Sequence, residues 1–472
     1  MVTETTRQIV GAFVVEPAAD SDGTDPNGRM ARRIASTIGR MISAGSLDVG
    51  ARLPTVRELS RHLGVSPTTV SEAWRRLADV GAIETRGRNG TFVRHPTGPG
   101  GPRRYRQISE GPGHFALDLS SGTPDPDLLP DLAPIVAKVS RQSLTSSYLD
   151  NPVLPALEEE LRSTWPFPPE AITVVDGALD ALDRVVSVAL HLGDRVVVEH
   201  PGFPPMLDLL ERLSCDVIGV DVDDEGLDVA QLDAVLDGDA PAAVILQPRA
   251  QNPAGVAMSP RRAKAIAERL SPAKTLVVED DHANEISTAE LTSVGTWLPE
   301  RTVHIRSFSK SHGPDLRLAA VGGAGDVVTG IENRRLLGPG WSSRILQSVL
   351  LELIRHPETG RVLEVARTTY ADRRRAVSLV LLEHDVEVTG TDGINLWMGV
   401  DDERAAVVAL AAQGIGVAPG APFLVRADSD HLRVTVAALS PERGLAQVAA
   451  RLVGAASLAA TRRRRTPAPH HR

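Results

Sequence analysis

Between about residue 115 and residue 455, short runs of apolar, often β-branched residues alternate with stretches that have helical apolar spacing. The runs that read as buried strands are residues 196–199, 217–222, 243–246, 276–279 and 302–305. Strands that alternate with helices predict a mainly parallel sheet with helices on both faces, and such sheets bind ligands at the carboxyl ends of their strands. The pattern therefore predicts an α/β domain with its site at that edge.

The segment 307–317, SFSKSHGPDLR, follows one of these strands closely and carries an unusual set of side chains. Lys310 stands between two serines, and Arg317 follows at the end of the segment. A lysine amine forms a Schiff base with an aldehyde, while hydroxyls and an arginine fork suit a phosphate dianion. The chain has only four lysines, and the other three lie in polar helical or turn contexts. The segment predicts a pyridoxal phosphate site; the alternative is that Lys310 is a solvated loop cation.

Length and composition narrow the class of protein. A chain of 472 residues with 42% hydrophobic and 24% charged residues predicts a globular protein of two domains. The lone Cys215 excludes an intrachain disulfide and a cysteine metal cluster. No apolar run reaches the length of a membrane span, and the first residues lack the pattern of a signal peptide, so we expect a cytoplasmic protein.

Charge is distributed unevenly along the chain. Residues 29–96 contain twelve arginines, no lysine and five acidic residues, a net charge of +7, whereas the whole chain carries −9 and the remainder therefore −16. A basic segment joined to an acidic body indicates that only the basic segment meets a polyanion. The alternative is a solvated charged face.

The basic segment has the pattern of a helix-turn-helix followed by a β-hairpin. Helical apolar spacing runs from Met30 to Ile42, and the capping-box spacing of Thr55 and Glu58 predicts a second helix to about Leu63. Ser66 before Pro67 predicts the start of a third helix. Residues 82–85 and 91–93 flank RGRNG, whose Asn-Gly pair favours a tight hairpin turn. The segment predicts a winged helix that binds double-stranded DNA; the alternative is a small helical domain that docks another protein.

The helix-turn-helix geometry assigns candidate roles to its polar residues. The N-terminal end of the second helix of the motif enters the major groove, so Thr68, Thr69 and Glu72 are expected to face base edges. Arginines elsewhere on this surface are expected to neutralise phosphates. The full set of candidate DNA-binding residues is Arg57, Ser66, Thr68, Thr69, Glu72, Arg75, Arg86 and Arg88.

These landmarks resemble the winged-helix domain of the GntR family. They include Leu53-Pro54, the Arg57-Glu58-Leu59 triplet, residues 66–70 and the Gly-Thr-Phe-Val run at 90–93. Pro67 stands where many members carry a DNA-contacting arginine. The expected division of the chain is a disordered N-terminus (1–28), a winged helix-turn-helix domain (29–96), a linker (97–114), the α/β body (115–455) and a basic tail (456–472).

The body resembles the fold type I, aspartate aminotransferase-like, pyridoxal phosphate proteins from about residue 116 to residue 452, with a smaller C-terminal α+β subdomain. The resemblance implies that Lys310 binds the aldehyde, that Asp280 pairs with the pyridine nitrogen and that Arg433 grips a substrate carboxylate. It further implies cofactor contacts from Asn252, Phe203, Ser307, Arg317, Gly177, Ala178, Leu179 and His282, and from Tyr148 toward the neighbouring subunit.

Each of these roles has a structural alternative. The alternatives are a strand-end cap for Asp280, a simple turn for Asn252, core packing for Phe203 and a plain surface position for Arg433. His282 departs from the tyrosine usual in the family, and it has a capping or packing alternative to a contact with the ring's 3-oxygen.

A winged helix, a tether and an aminotransferase-like body together resemble the MocR subgroup of GntR-family regulators. The resemblance implies a head-to-tail homodimer that holds pyridoxal phosphate and senses an amino compound or the cofactor itself. Two alternatives stay open: a working aminotransferase with a fused DNA-binding domain, and a dimerisation scaffold that has lost the cofactor.

Overall fold

The computed structural model describes residues 4–15, 26–43, 46–79, 82–87, 90–94, 102–109, 115–142, 147, 150–440 and 444–458. The N-terminal unit contains α1 (Glu4–Val15), α2 (Pro26–Ser43), α3 (Val56–Leu63), α4 (Pro67–Asp79), β1 (Ile83–Thr85) and β2 (Thr91–Val93). Strands β1 and β2 pair antiparallel and form the wing. The buried side chains of α2 and α4 include Ile34, Ile38, Val70 and Leu77, as their helical spacing predicted. The predicted winged helix is confirmed.

Side-chain caps fix the ends of α3 and α4. Thr55 accepts a hydrogen bond from the Glu58 backbone N–H at 3.2 Å, and Ser66 accepts one from the Thr69 N–H at 3.1 Å. The Glu58 carboxylate accepts from the Thr6 hydroxyl at 3.0 Å. Thr55 therefore makes the N-cap hydrogen bond that the capping-box spacing predicts, while the Glu58 side chain bonds Thr6 of α1.

The prediction that residues 1–28 are disordered is wrong for the part that the structure describes. Helix α1 packs on the winged-helix core, where Ile9 is 1% exposed, and α2 begins at Pro26. The polar start of the chain conceals one apolar face, whose burial stabilises the helix. From the body of the same chain, Leu192 also packs into this core.

The body is built on an eight-stranded sheet in the described part of the chain, with strand order β4-β11-β10-β9-β8-β5-β6-β7. The strands are β4 (Ala171–Val175), β5 (Arg195–His200), β6 (Asp216–Asp223), β7 (Gly226–Leu227), β8 (Ala243–Leu246), β9 (Leu276–Asp281), β10 (Thr302–Ser307) and β11 (Ala319–Gly323). Strands β6, β5, β8, β9 and β10 run parallel to one another. Strand β7 pairs antiparallel with β6 and β11 pairs antiparallel with β10, while β4 pairs antiparallel with β11 and so runs in the same direction as the five. All five strands predicted from apolar runs are confirmed, and β9 continues two residues further to include Asp280.

Helices cover this sheet and lead into a smaller C-terminal subdomain. The helices of the body are α6 (Ala133–Val139), α7 (Pro155–Ser163), α8 (Ala178–Ala189), α9 (Pro204–Arg212), α10 (Val229–Leu236), α11 (Pro260–Leu270), α12 (Gly325–Leu336), α13 (Arg344–Arg355), α14 (Pro357–Leu382), α15 (Glu403–Ala412) and α16 (Leu445–Ala456). A second sheet, of order β12-β13-β15-β14-β3, comprises β3 (Leu117–Leu119), β12 (Val388–Thr389), β13 (Asn395–Gly399), β14 (Ile415–Pro419) and β15 (His431–Thr435). Separate apolar cores under the two sheets give the expected α/β body and α+β subdomain.

The segment predicted to be a linker without a core of its own contains a docked helix, α5 (Arg103–Ser109). The Asp208 carboxylate accepts from the backbone N–H groups of Arg104 at 3.1 Å and Tyr105 at 3.0 Å. Ile108 packs against an apolar cluster that includes Phe423 and Leu424. The proline and glycine residues before residue 103 favour a loop, and the carboxylate that caps the N-terminus of α5 is distant in the sequence. The sequence pattern therefore did not predict this helix. We call α5 the strap.

Within the described ranges, no helix combines the length and the apolar character that a bilayer crossing requires. The predicted basic tail begins at residue 456, at the end of α16, and its residues from 459 onward lie outside the described residues.

Candidate cofactor site

The candidate site lies where β8, β9 and β10 end. Gln247 directly follows β8, Asp280 lies near the end of β9, and Lys310 lies in the turn after β10. Because these three strands are neighbours and run parallel, their carboxyl ends meet at one edge of the sheet. The predicted position of the site relative to the strands agrees with the fold.

Asp280 is buried with one satisfied and one unsatisfied oxygen. Its side chain is 2% exposed, and Oδ2 accepts from the Gln247 Nε2 at 2.7 Å. Oδ1 is buried without a hydrogen-bond partner among the described residues. Burial raises the pKa of Asp280 to about 6, against the Gln247 hydrogen bond, which lowers it. A buried carboxylate oxygen without a partner is costly, so this geometry suits a ligand that brings a donor or a positive charge.

Gln247 joins three parts of the site, and sequence reasoning missed it. The side-chain oxygen of Gln247 accepts from the Asn252 backbone N–H at 2.8 Å. The backbone N–H of Gln247 donates to the Glu199 carboxyl group at 3.0 Å. Burial raises the pKa of Glu199 to about 8, so this carboxyl is mostly protonated at neutral pH. The available signal was the position of Gln247 directly after a predicted strand.

The Lys310 amine contacts the imidazole of His282. Lys310 Nζ lies 2.7 Å from His282 Nδ1, and His282 Nε2 lies 2.8 Å from the Ala250 carbonyl oxygen. Burial lowers the pKa of Lys310 to about 8, although Asp280 opposes the shift. The lysine therefore has a substantial neutral fraction near physiological pH, which a nucleophilic amine needs.

Gly177, at the N-terminus of α8, and Arg317 form an anion cradle. Gly177 has φ of 100°, and a Cβ there would lie 3.3 Å from the Arg317 guanidinium. No side-chain hydrogen bond caps α8, so the N–H groups of its first residues, Ala178 and Leu179, are suited to a phosphate. Arg317 itself adopts φ of 50° and donates to the Asp176 carbonyl at 3.4 Å.

Two further residues support this cradle. Ser307 is buried, and its hydroxyl accepts from the Ser309 N–H at 3.3 Å. Arg335 is 1% exposed and lies 3.6 Å from carboxylate oxygens of both Asp176 and Asp180. Arg335 therefore anchors the loop before α8, a role that its position in an unremarkable helix did not reveal.

Arg433 is a buried arginine at the other side of the site. It is 4% exposed, donates to the Ser120 carbonyl, and its Nη1 lies 3.4 Å from Asn252 Oδ1. The Phe423 ring centroid lies 5.2 Å from its guanidinium carbon. Burial lowers the pKa of Arg433 to about 10, so it keeps its charge at neutral pH. The surface alternative for Arg433 is wrong, and its buried fork suits a carboxylate.

Two other predicted contacts have different outcomes. Phe203 is half-buried directly before α9 and packs against the core of the large sheet, as its packing alternative predicts. Tyr148 lies outside the described residues.

Pyridoxal phosphate fits the residues present. Asp280 Oδ1 would face the pyridine nitrogen, Lys310 would hold the aldehyde, and the Gly177 turn with Arg317 would hold the phosphate. When bound, the cofactor supplies an electron sink for amine chemistry. The fit depends on the unpartnered oxygen of Asp280 and on the glycine cradle, both of which are otherwise unexplained.

The candidate DNA-binding residues of the winged helix differ in solvent exposure. Arg57 and Thr68 are exposed, and Arg75 is 68% exposed while it pairs with Glu72 at 2.5 Å. Thr69 is 3% exposed, and its hydroxyl lies 2.7 Å from Ser66 Oγ. The prediction that Thr69 faces base edges is therefore wrong, because its side chain is buried against the N-cap residue Ser66 at the start of α4.

The remaining charged candidates belong to local pairs or lie outside the described residues. Glu72 also pairs with Arg76 at 3.1 Å. Arg86 donates to Glu84 at 2.6 Å and lies over the Phe92 ring. Arg88 lies outside the described residues.

Two family matches cover most of the chain. Residues 30–93 match the family described as bacterial regulatory proteins of the gntR family, and residues 116–452 match aminotransferase class I and II. The vitamin B6 salvage pathway transcriptional repressor PtsJ of Salmonella typhimurium is 36% identical over 423 residues, covering 88% of this chain and 96% of its own length. The transcriptional regulator TauR of Rhodobacter capsulatus is 25% identical, with 89% and 96% covered.

Solved structures similar to the body include aminotransferases. The α-aminoadipate aminotransferase LysN of Thermus thermophilus is 24% identical with a TM-score of 0.67, covering 74% of this chain and 94% of its own. A multiple substrate aminotransferase of Thermococcus profundus is 21% identical with a TM-score of 0.69, covering 76% and 95%. The fold is therefore that of fold type I aminotransferases, and the family match together with the fit of the site identifies pyridoxal phosphate as the cofactor. The chain belongs to the GntR-family transcriptional regulators of MocR type, in which a winged helix-turn-helix is fused to an aminotransferase class I and II domain.

Proposed function

We propose that this protein is a cytoplasmic transcriptional regulator that reads double-stranded DNA as a homodimer and changes its DNA affinity when the Lys310 site is occupied. The ligand is pyridoxal phosphate itself or an amino compound that reacts at the cofactor. The observation that carries the proposal is the strap, which ties the tether of the DNA-binding domain to two elements beside the site.

Arg104 makes the central contacts of the strap. Its Nε and Nη2 donate to Glu211 of α9 at 3.0 and 2.8 Å. Its Nη1 donates to the carbonyl oxygens of Pro422 at 3.2 Å and Leu424 at 2.8 Å. One side chain thus bridges the large domain and the turn that follows β14 in the smaller subdomain. A change in the relation of these two parts must either move the strap or break these bonds.

The same turn touches the substrate end of the site. Phe423, between the two carbonyls that Arg104 binds, faces the guanidinium of Arg433. A carboxylate that pairs with Arg433 would alter this contact and so bias the position of the turn. Differential contacts of this kind are what allow a ligand to shift a conformational equilibrium. In a dimer, movement of the two tethers would change the spacing of the winged helices, to which half-site binding is sensitive.

Both ligand classes have support. The relative that is 36% identical bears the name of a vitamin B6 salvage repressor, which supports response to a pyridoxal compound. The buried Arg433 supports an amino acid whose carboxylate it binds. A head-to-tail dimer agrees with the resemblance to MocR regulators, and a subunit exchange assay with differently labelled protein tests the dimer directly.

Lys310→Ala tests the proposal, with Lys274→Ala as the matched control because Lys274 is exposed on another part of the body. DNA binding to the protein's own promoter region is measured by fluorescence anisotropy, with and without pyridoxal phosphate and with a panel of amino acids. We expect the control to respond like wild type, and Lys310→Ala to bind DNA with an affinity that no ligand changes. A normal ligand response in Lys310→Ala would overturn the proposal.

A working aminotransferase is the second candidate function. It is favoured by the joint presence of Asp280, Lys310, Asn252 and Arg433 around one site. Steady conversion of an amino acid with a 2-oxo acid, at many turnovers per protein, would establish the enzyme. Consumption that stops after one equivalent supports the regulator, because sensing needs occupancy and not turnover.

The third alternative, a scaffold without cofactor, leaves the buried Asp280 oxygen and the Gly177 cradle without a purpose. Absorbance spectra test it directly. No spectral change when pyridoxal phosphate is added to purified protein, together with no pyridoxyl adduct after borohydride reduction, would support the scaffold.

A further inference from the structure

We propose that His282 is a positioning residue for Lys310: its imidazole accepts a hydrogen bond from the lysine amine and leaves the amine's lone pair free to attack an aldehyde. This inference rests on the proposed use of Lys310 as the cofactor lysine. It assigns to His282 a partner different from the ring's 3-oxygen, which the resemblance had implied.

The surroundings of His282 determine which ring nitrogen carries hydrogen. A carbonyl oxygen only accepts, so the 2.8 Å contact with the Ala250 oxygen requires that His282 Nε2 carries the hydrogen. In the neutral ring, Nδ1 then presents a lone pair. That lone pair faces Lys310 Nζ at 2.7 Å, where the lysine donates.

The Ala250 carbonyl is held in place by the fold. Ala250 adopts φ of 49°, in the left-handed region, and it is 3% exposed. A residue without a glycine's freedom keeps such a conformation only where its surroundings enforce it. The opposite tautomer would set the Nε2 lone pair against this fixed oxygen, so it is disfavoured at Ala250 whatever the charge of the lysine. At the other end its Nδ1–H would meet the hydrogens of a charged amine or take up the lone pair of a neutral one.

The imidazole also stays neutral. His282 is 8% exposed, and burial, aided by the positive charge of Lys310, lowers its pKa to about 3. The other charged groups that act on it are Asp281, which opposes this shift, and Arg249, which supports it. His282 is therefore an acceptor over the physiological pH range.

An acceptor at this position differs chemically from a tyrosine. A tyrosine hydroxyl donates a hydrogen bond to an oxygen, whereas the Nδ1 of His282 has no hydrogen to donate in this tautomer. The expectation that His282 donates to the ring's 3-oxygen therefore disagrees with the geometry. Asn252, whose Oδ1 lies 3.4 Å from Arg433 Nη1, has an amide NH₂ available for that oxygen.

The consequence for attachment follows from the hydrogens of the amine. The neutral Lys310 amine has two hydrogens and one lone pair, and His282 engages one of the hydrogens. Lys310 Nζ then forms its bond to the aldehyde carbon with the free lone pair. The carbonyl oxygen leaves as water together with the two amine hydrogens, so the step needs no further reactant. Orientation of a nucleophile in this way changes the rate of attack more than the affinity.

The first test measures the tautomer in wild-type protein without cofactor. The ¹⁵N chemical shifts of a histidine ring distinguish the protonated from the unprotonated nitrogen, and the His282→Asn spectrum identifies the signal. We expect hydrogen on Nε2 only, between pH 6 and pH 8. Hydrogen on Nδ1, or a protonated ring in this range, would overturn the proposal without any need for a destabilised variant.

The second test measures the reactivity of the lysine amine and uses the scarcity of lysine in this chain. Protein without cofactor is methylated with formaldehyde and cyanoborohydride across pH 6–10, and each of the four lysines is quantified by peptide mass spectrometry. Lys138, Lys264 and Lys274, all exposed, serve as controls in the same sample. His282→Phe removes the acceptor but keeps a ring, while His282→Asn keeps an acceptor oxygen near the position of Nδ1.

We expect His282→Phe to lower the plateau rate at Lys310, relative to the other lysines, by about tenfold or more, with His282→Asn close to wild type. The rate of pyridoxal phosphate attachment, followed by absorbance, should rank the three proteins in the same order. Equal plateau rates for His282→Phe and wild type, or a rate for His282→Asn as low as that for His282→Phe, would overturn the proposal. If no protein attaches cofactor but the methylation order holds, the proposed function fails while the role of His282 stands.

Discussion

The Gln247 side chain donates to one oxygen of Asp280 at 2.7 Å and leaves the other oxygen buried without a partner among the described residues. This division fixes the orientation of the carboxylate and reserves one lone-pair direction for a ligand. Because Gln247 also binds the Asn252 backbone, the carboxylate and the Asn252 loop keep their relation in the protein alone.

Asp280→Asn should fold but hold pyridoxal phosphate poorly. A charge-assisted hydrogen bond to a buried carboxylate contributes roughly 1.5–3 kcal/mol, so we expect cofactor affinity to fall by about 10- to 100-fold. Equilibrium titration followed by absorbance measures the loss. Asp315→Asn is the matched control, because Asp315 is exposed in the segment after Lys310. Wild-type affinity in Asp280→Asn would show that Asp280 does not face the ring nitrogen.

Glu199→Gln should remove a pH dependence of stability. Burial raises the pKa of Glu199 to about 8 from an ordinary value of 4.5, so the folded protein binds a proton that the unfolded chain releases. The stabilising contribution of this proton is complete below pH 4.5 and is lost as the pH rises to about 8. The variant should therefore gain roughly 1–5 kcal/mol over wild type at pH 8 relative to pH 5.

Urea unfolding of cofactor-free protein at the two pH values measures this gain. Glu159→Gln, at an exposed position of α7, is the control and should show the wild-type pH dependence. A constant difference between Glu199→Gln and wild type across this range would contradict a protonated Glu199.

Arg104→Ala should uncouple the two domains. The variant loses the bonds to Glu211 and to the carbonyls of Pro422 and Leu424, so ligand binding at the site should no longer reach the tether. We expect normal cofactor binding, DNA binding that persists, and a ligand-dependent change in DNA affinity reduced at least severalfold. Anisotropy titrations with and without pyridoxal phosphate measure it.

Arg103→Ala is the matched control for the strap, because the neighbouring arginine is 75% exposed and its nearest approach to Glu211 is 3.8 Å. It removes the same charge from the same helix. An unchanged ligand response in Arg104→Ala, or an equal loss in Arg103→Ala, would argue against the strap as the route of coupling.

Substitutions in the winged helix should distinguish residues that contact DNA phosphates from residues that recognise bases. Arg57→Ala should weaken binding to all DNA sequences and reduce the slope of log affinity against log salt by about one. Thr68→Ala should change which operator variants bind, by about 1–3 kcal/mol at the affected base pair. Thr69→Val should lower the melting temperature of the domain and leave base preference unchanged, because Thr69 serves the cap of α4. A change in base preference in Thr69→Val would restore it as a reading residue.

The parts of this structure that the sequence predicted are those that depend on local patterns. The alternation of apolar runs predicted the parallel strands, and the caps at Thr55 and Ser66 predicted helix starts, because each depends on residues a few positions apart. The placement of Lys310 and Asp280 at one edge follows from the rule that the carboxyl ends of parallel strands meet.

The parts that the sequence did not reveal depend on contacts across long separations. Asp208 caps a helix 104 positions earlier in the chain, and Glu58 binds Thr6 from 52 positions away. Gln247 has an ordinary sequence context, and its importance follows from three partners that only the fold assembles. The tautomer of His282 likewise depends on the backbone of Ala250, 32 positions away.

Within the described ranges, the anchors given for Arg104 and Tyr105 of the strap lie in the aminotransferase-like body, on α9 and on the turn after β14. Sensing and reading thus belong to separate modules, joined by the packing of Leu192 into the winged-helix core and by the strap helix, which begins at residue 103. A chimaera that begins at this helix and carries a foreign DNA reader ahead of it should inherit the ligand response, which makes the body a transferable sensor cassette.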